Sequence, residues 1–469
     1  MRLLSSAMLL SSLVALPASA ATTAEVADRA GLALTVYQGG FALVEDTRRA
    51  TLENGSTTVH LPDVSEAMIA PSAQVLGTGF TVRSLGLGGP IADTASLLRA
   101  SVGKEITVVR RLDSGQDVRQ QARILRVDPE VIAEIDGKIH VGLPGQPVFD
   151  TLPADLPLRP GLSAALDGTK AGEARLALRY LSRSLSWTAD HVLTLAAGRT
   201  TGDLTTWATL RNGTRQDWRG ATLAVVAGDV RLPEEGGAYL PPPMMARAMA
   251  APLAEKADAG GFEREATDGM HVYRLGAPVD LAAEETRQVR LLGAAGIPIE
   301  TVYEDEGDSY VFHDRHVGER RTHPATKLVL RNAAGGALGA PLPAGPMRVY
   351  AADGSGQARY IGGAQVPPVP VGEEARVEIG KAFDLTVERT QTAFKRLSDS
   401  VTETSHRFVV RNGGTEAATV RVLEPLPGDW EITQASQPAD KPDAGRAAWS
   451  VKVPAGGKTE VTFTVRTRF

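Results

Sequence analysis

The 469-residue chain contains no cysteine. That excludes disulfides, iron–sulfur centres and thiol nucleophiles outright, so stability has to come from packed cores. It also excludes a lipid anchor at a processed N-terminal cysteine. A stripe of one charge is missing as well: 50 basic and 55 acidic residues are interspersed along the chain. A nucleic-acid partner would want a basic face, and the sequence writes none. Long apolar runs are confined to the first residues, where Arg2 is the only charge and Leu3 to Leu16 is largely apolar. Pro17 breaks this run, and Ala18-Ser19-Ala20 offers small residues to a signal peptidase. The run falls short of the roughly 20 apolar residues that span a bilayer. It predicts a signal peptide over 1–20, a mature chain starting near Ala21, and a periplasmic or secreted protein with no transmembrane segment after cleavage. Loss of Arg2 takes the formal charge from −5 to −6.

What remains is strand after strand. Leu34 and Val36 alternate with polar or small neighbours; so do Leu176, Leu178 and Tyr180, then Ala375, Val377 and Ile379, then Val461, Phe463 and Val465. A period of two puts one set of side chains on a buried face and the other in water. Asp136-Gly137 tolerates the positive φ of a two-residue hairpin turn and joins Val131–Ile135 to Lys138–Val141. Helical patterning is confined to about Ile91 to Ser101 and to Met244–Ala251, which Pro252 ends. The fold class expected is all-β: several immunoglobulin-like β-sandwich modules plus a small SH3-like or OB-like barrel.

The expected order is an N-terminal β domain over 21–97, the small barrel over 98–150, and a central sandwich over 151–300. A further β module over 301–395 and a terminal immunoglobulin-like sandwich over 396–469 complete it. Within the central domain, 232–268 carries Pro241-Pro242-Pro243, paired methionines and Gly260-Gly261. Such a stretch buries too little to offset its ordering entropy and predicts a long mobile loop, the most protease-sensitive part of the chain. Three strands end alike, at Leu210-Arg211-Asn212-Gly213, Leu330-Arg331-Asn332-Ala333 and Val410-Arg411-Asn412-Gly413. Their asparagines lie 120 and 80 residues apart, so this is no strict repeat array. Each reads as a hairpin turn; in the last module Asn412-Gly413 is expected to join Arg407–Arg411 to Thr419–Leu423. Trp449 is expected in that module's core, and Trp207 in the core of its own strand pair.

Several segments together resemble a known family. They are "VYQGGFALVEDTRR" (36–49), "YLSRSLSWTADHVLTL" (180–195), "TTWATLRNGTRQDWRGATLAVVAGDV" (205–230), "LGAPLPAGPMRVYAADGSGQARYIG" (338–362), "KAFDLTVERTQTAF" (381–394) and "EPLPGDWEI" (424–432). Their combination and order resemble the domain-of-unknown-function family shared with the mucoidy inhibitor A proteins. The resemblance implies an exported or envelope-associated bacterial β protein and carries no catalytic residue. One departure is Val366–Glu374, which stands where the family has a polar His-Thr-Pro-Lys-like segment.

Catalytic signatures are missing. No Gly-x-Ser-x-Gly elbow occurs, and no Gly-x-Gly-x-x-Gly opens a helix after a strand. Gly456-Gly457-Lys458-Thr459 has Lys452 where a phosphate loop needs its first glycine. The one suggestive cluster is Glu304-Asp305-Glu306, Asp308, His313-Asp314, His316 and His323, donors able to hold zinc or a similar ion if they converge. The expectation is a non-catalytic envelope or periplasmic binding or scaffold protein with an envelope protein or glycan as partner and no cofactor. The alternative is a divalent-metal-dependent hydrolase using the Glu304–His323 segment. An outer-membrane barrel, suggested by terminal Phe469, fits poorly with the proline-rich stretches.

Overall fold

The computed structural model describes residues 20–88, 92–112, 115–153, 156, 161–168, 170–233, 262–267, 269–352 and 356–469. The expected signal peptide lies outside the described residues except for Ala20, as does most of the expected loop 232–268. At that loop's end, Phe262–Thr267 is a strand, paired antiparallel with Met270–Leu275. The structure is nearly all strand, in several sheets, none of which closes into a barrel among the described residues. No described helix is long and apolar enough to cross a membrane.

The chain divides into two compact units and passes between them more than once. One comprises Met1–Ser186, Arg211–Ala224 and Ala277–Thr286; the other comprises Trp187–Leu210, Val225–Gly276 and Arg287–Phe469.

In the first unit, Arg29–Tyr37 and Gly172–Arg183 flank Phe41–Leu52 as antiparallel neighbours. A second sheet orders Ala20–Thr23, Gly55–Pro62, Gly161–Gly168 and Phe80–Leu87. Leu34, Val36, Leu176, Leu178 and Tyr180 are buried, as their alternation requires. Arg48 is fully buried among them. It survives there because Asp46 pairs with it at 2.8 Å and the carbonyls of Ala24 and Pro62 accept from its Nη1.

Between Phe80–Leu87 and Gly161–Gly168, themselves neighbours, the chain inserts a small module. Its helix is Thr94–Ala100, N-capped by Asp93, whose carboxylate accepts the Ser96 N–H at 2.7 Å. The boundary expected at 97/98 therefore falls inside a helix. Asp136 (φ 50°) and Gly137 (φ 71°) make the hairpin turn as their types predict. The module's five strands form an open sheet, with Lys138–Val141 and Gln146–Val148 at opposite edges, rather than the closed barrel expected. One face of strands packed against Leu98 of the helix buries Ile106, Val108, Ile124 and Ile135 without closure.

The second unit contains a branched sheet of ten strands. Its main path runs Ala358–Val366, Gly345–Ala352, Leu185–Leu195, Thr201–Asn212, Thr286–Glu306, Ala418–Pro425, Arg446–Val453 and Asp440–Asp443; Ala325–Arg331 and Glu374–Lys381 branch from it. A five-stranded sheet orders Glu319–Thr322, Leu385–Ser398, Val401–Asn412, Lys458–Arg468 and Asp429–Ala435. The terminal sandwich buries Phe408, Val410, Val422, Trp449, Val451, Val461, Phe463 and Val465 in one core, joined by Leu385, Val387 and Phe312. Trp449 is fully buried, with ring centroids 4.6 Å from Phe463 and 5.5 Å from Phe408.

Four expectations need correction here. The boundary at 396 cuts Leu385–Ser398, which pairs along its length with Val401–Asn412 as a hairpin. The boundary at 300 likewise falls inside Thr286–Glu306. Asn412-Gly413 is not a hairpin turn. Val401–Asn412 pairs with Leu385–Ser398 and Lys458–Arg468, whereas Ala418–Pro425 pairs with Arg446–Val453, so the chain crosses from one sheet to the other at this point. Trp207 is only half-buried, because Leu204, Ala208 and Leu210 face the core and Trp207 is on the opposite phase of the strand.

Candidate functional site

The Glu304–His323 segment does not converge. Its carboxylates are spent on cations: Glu304 on Lys327, Asp305 on Arg389, Glu306 on Arg446 at 4.0 Å, Asp308 on Arg320, Asp314 on Arg396 at 3.9 Å. His313 stacks on Phe469, His316 meets the edge of Tyr310, and His323 turns away to the 382–385 turn. Among the described residues no three His, Asp or Glu side chains stand where one metal ion could bind them.

One pairing in this segment is deeply buried. Arg389 donates from Nε to Glu424 at 2.7 Å and from Nη1 to Asp305, which also accepts from Thr322 Oγ1 at 2.9 Å. Burial pushes the Glu424 carboxyl up even though Arg389 pulls it down. Beside it, His406 is sandwiched between Phe312 and Phe463, and burial lowers its pKa to about 4. The cavity against Arg389, Glu424 and His406 measures ≈ 30 Å³, room for a water or two and too little for a substrate. This cluster is structural, an ion pair stitching two sheets of the terminal sandwich.

A larger groove of ≈ 430 Å³ opens elsewhere in the same unit, within the size range of small-molecule sites. Tyr303 and Thr326, cross-strand partners, form part of its wall, with Ile361 and Ile379 beside them. The 382–385 turn and the 412–418 crossover complete it.

Both of those loops are locked from within. The Ala382 N–H donates to Pro324 O at 2.8 Å and the Gly413 N–H to Asp384 O at 2.7 Å. His323 Nδ1 lies 3.1 Å from Ala382 O and 2.9 Å from Leu385 O. Both partners are carbonyls, so Nδ1 carries the proton and donates. On the other loop, Asn412 accepts the Gly414 N–H at 2.9 Å and donates to Glu416 O at 2.7 Å.

Phe383 sits at the head of the first turn, 88% exposed. Leu385 and Val387 share its sequence phase and are buried, so alternation alone would put Phe383 in the core; the turn releases it. Nothing in the sequence pattern marks it except that it follows the end of the Glu374–Lys381 strand. Arg199, Lys381, Asp384 and Glu416 also line the groove, and their side chains make no hydrogen bond or ion pair among the described residues. They contrast with the paired carboxylates of the 304–314 segment.

Sandwich modules in series, with a rigid polar groove and an aromatic at its lip, define a modular all-β protein. The profile of a family described as "Domain of unknown function (DUF4139)" matches residues 176–469, and the chain belongs to that family. No curated protein matches the chain significantly.

Proposed function

We propose that this chain is a non-catalytic binding or scaffold protein of the bacterial envelope that engages an envelope protein or glycan through the groove at Phe383. Export by residues 1–20 to the periplasm or beyond, and kinship with the mucoidy inhibitor A proteins, are parts of the same reading. The observation that carries it is Phe383 itself. Leaving a phenylalanine in water forgoes about 1.5–3 kcal/mol of burial, yet the turn that displays it is fastened by His323, Pro324 and Gly413. A rigidly presented aromatic beside unpaired polar groups is how binding hot spots are built.

A photoreactive amino acid at position 383 of the full chain, activated in the producing bacterium, tests this. The expected result is an adduct of defined mass in the envelope fraction, with none from the same probe at Val317, which is 87% exposed. Equal labelling at both positions, or none at 383, overturns the reading. The recovered chain should begin near Ala21.

A further inference from the structure

We infer that the groove takes a neutral oligosaccharide, a reading that rests on the binding role proposed above and names its ligand. Three observations converge. Phe383 offers a nearly free ring face, and a pyranose presents a flat patch of C–H groups that such an apolar face covers. The surroundings are polar: Arg199 and Lys381 supply donors, and Asp384 and Glu416 supply acceptors. A sugar hydroxyl both donates and accepts, so it uses both sets, and charge-assisted hydrogen bonds of this kind are the stronger ones.

The balance of charge selects neutrality. Two cations and two anions line the groove. A phosphorylated or uronic-acid glycan gains from Arg199 and Lys381 and is opposed by Asp384 and Glu416, whereas a neutral sugar meets no repulsion. An extended peptide is disfavoured for a different reason. It would need a row of open backbone groups to pair with, and three of those in the groove's loops are already taken, Ala382 with Pro324, Gly413 with Asp384, and Asn412 with Gly457.

The groove is already formed. His323 and Asn412 hold its two loops in place, so ligand entry requires little ordering, which favours measurable affinity from a small contact.

The test uses the full chain and saturation-transfer difference NMR with cellotriose, laminaritriose and chitotriose, alongside trigalacturonate and trialanine. Transfer to at least one neutral trisaccharide is expected, strongest at ring C–H protons, and weak or none to the other two probes. Phe383→Ala should weaken binding at least about tenfold, the equivalent of about 1.4 kcal/mol. Its thermal midpoint should stay unchanged, since the side chain is in water. The pair Asp384→Asn and Glu416→Gln keeps the shape of the groove and should favour trigalacturonate. No transfer to any neutral sugar, preference of the native chain for trigalacturonate or trialanine, or binding indifferent to Phe383→Ala overturns the inference. A position-383 adduct to a protein alone, combined with no sugar binding, leaves the binding role standing and removes the saccharide.

Discussion

Asn212 and Asn412 are locked in the same way, 200 residues apart. Each side-chain oxygen accepts an N–H two residues on, from Thr214 at 3.0 Å and Gly414 at 2.9 Å. Each side-chain nitrogen donates to a carbonyl four residues on, Gln216 at 2.8 Å and Glu416 at 2.7 Å. The glycine after each asparagine donates to a residue just before the preceding strand, Ser184 and Asp384, at 2.7 Å in both cases. Asn332 follows a related scheme, donating to the carbonyls of Ala340 and Pro370. The recurring Arg-Asn is thus a lock on the loop that ends a strand, and in the terminal sandwich that loop changes sheets.

Removing one lock should therefore cost stability. Asn412→Ala removes its part-buried hydrogen bonds to the Glu416 carbonyl and the Gly414 N–H, and a loss of about 1–3 kcal/mol is expected. Asn212→Ala should cost a similar amount. Chemical denaturation of both variants measures this, and a cost near zero at either site would show that the loop holds without the asparagine.

Trp449 fills the centre of the terminal sandwich between Phe408 and Phe463. Trp449→Ala should destabilise that sandwich by roughly 3–5 kcal/mol. Half-buried Trp207 is the comparison, with a smaller loss on the same substitution. Thermal melts followed by near-ultraviolet circular dichroism give both values.

Arg389 neutralises two carboxylates that have almost no water. Arg389→Met strands Glu424 and Asp305 and should cost about 3–5 kcal/mol at neutral pH. Adding Glu424→Gln should recover part of that loss, because one uncompensated charge then disappears. If the double variant is no more stable than the single one, the burden lies elsewhere than in Glu424.

His406 makes stability depend on pH. Its folded pKa is lowered to about 4 by burial, against an ordinary value near 6.5. The unfolded chain binds more protons between these values, so the contribution is complete above about pH 6.5 and is lost as pH falls towards 4. Its ceiling is about 3 kcal/mol. His406→Phe should flatten the slope of stability against pH in this window relative to the native chain. Identical slopes in paired denaturation series would count against it.

His323 braces the turn that displays Phe383. His323→Ala should speed amide exchange in peptides covering 381–386 while global stability changes by about 1 kcal/mol. Unaltered exchange there would mean that the backbone bonds to Pro324 and Gly413 suffice.

The amino-acid sequence by itself determined the strands and the β class. Alternation of apolar and polar side chains, and a turn such as Asp136-Gly137, depend on neighbours one or two residues away, and the folded chain keeps them. The helix at Thr94–Ala100 and the burial of Trp449 were legible for the same reason. Partner choice was not. Asn412-Gly413 has the local chemistry of a hairpin, and only pairing with strands tens of residues distant makes it a crossover. The module boundary expected between residues 395 and 396 falls inside a hairpin, because Leu385–Ser398 pairs with Val401–Asn412. The acidic and histidine residues of 304–323 look gathered in sequence, yet they are claimed by separate partners, from Tyr310 and Arg320 nearby to Arg389, Arg446 and Phe469 far along the chain. Conversely, Phe383, Arg199 and Glu416 are scattered over more than 200 residues and meet at one groove. Which side chains converge depends on sheet pairing and on loop closures across the chain, so tertiary structure alone decided it.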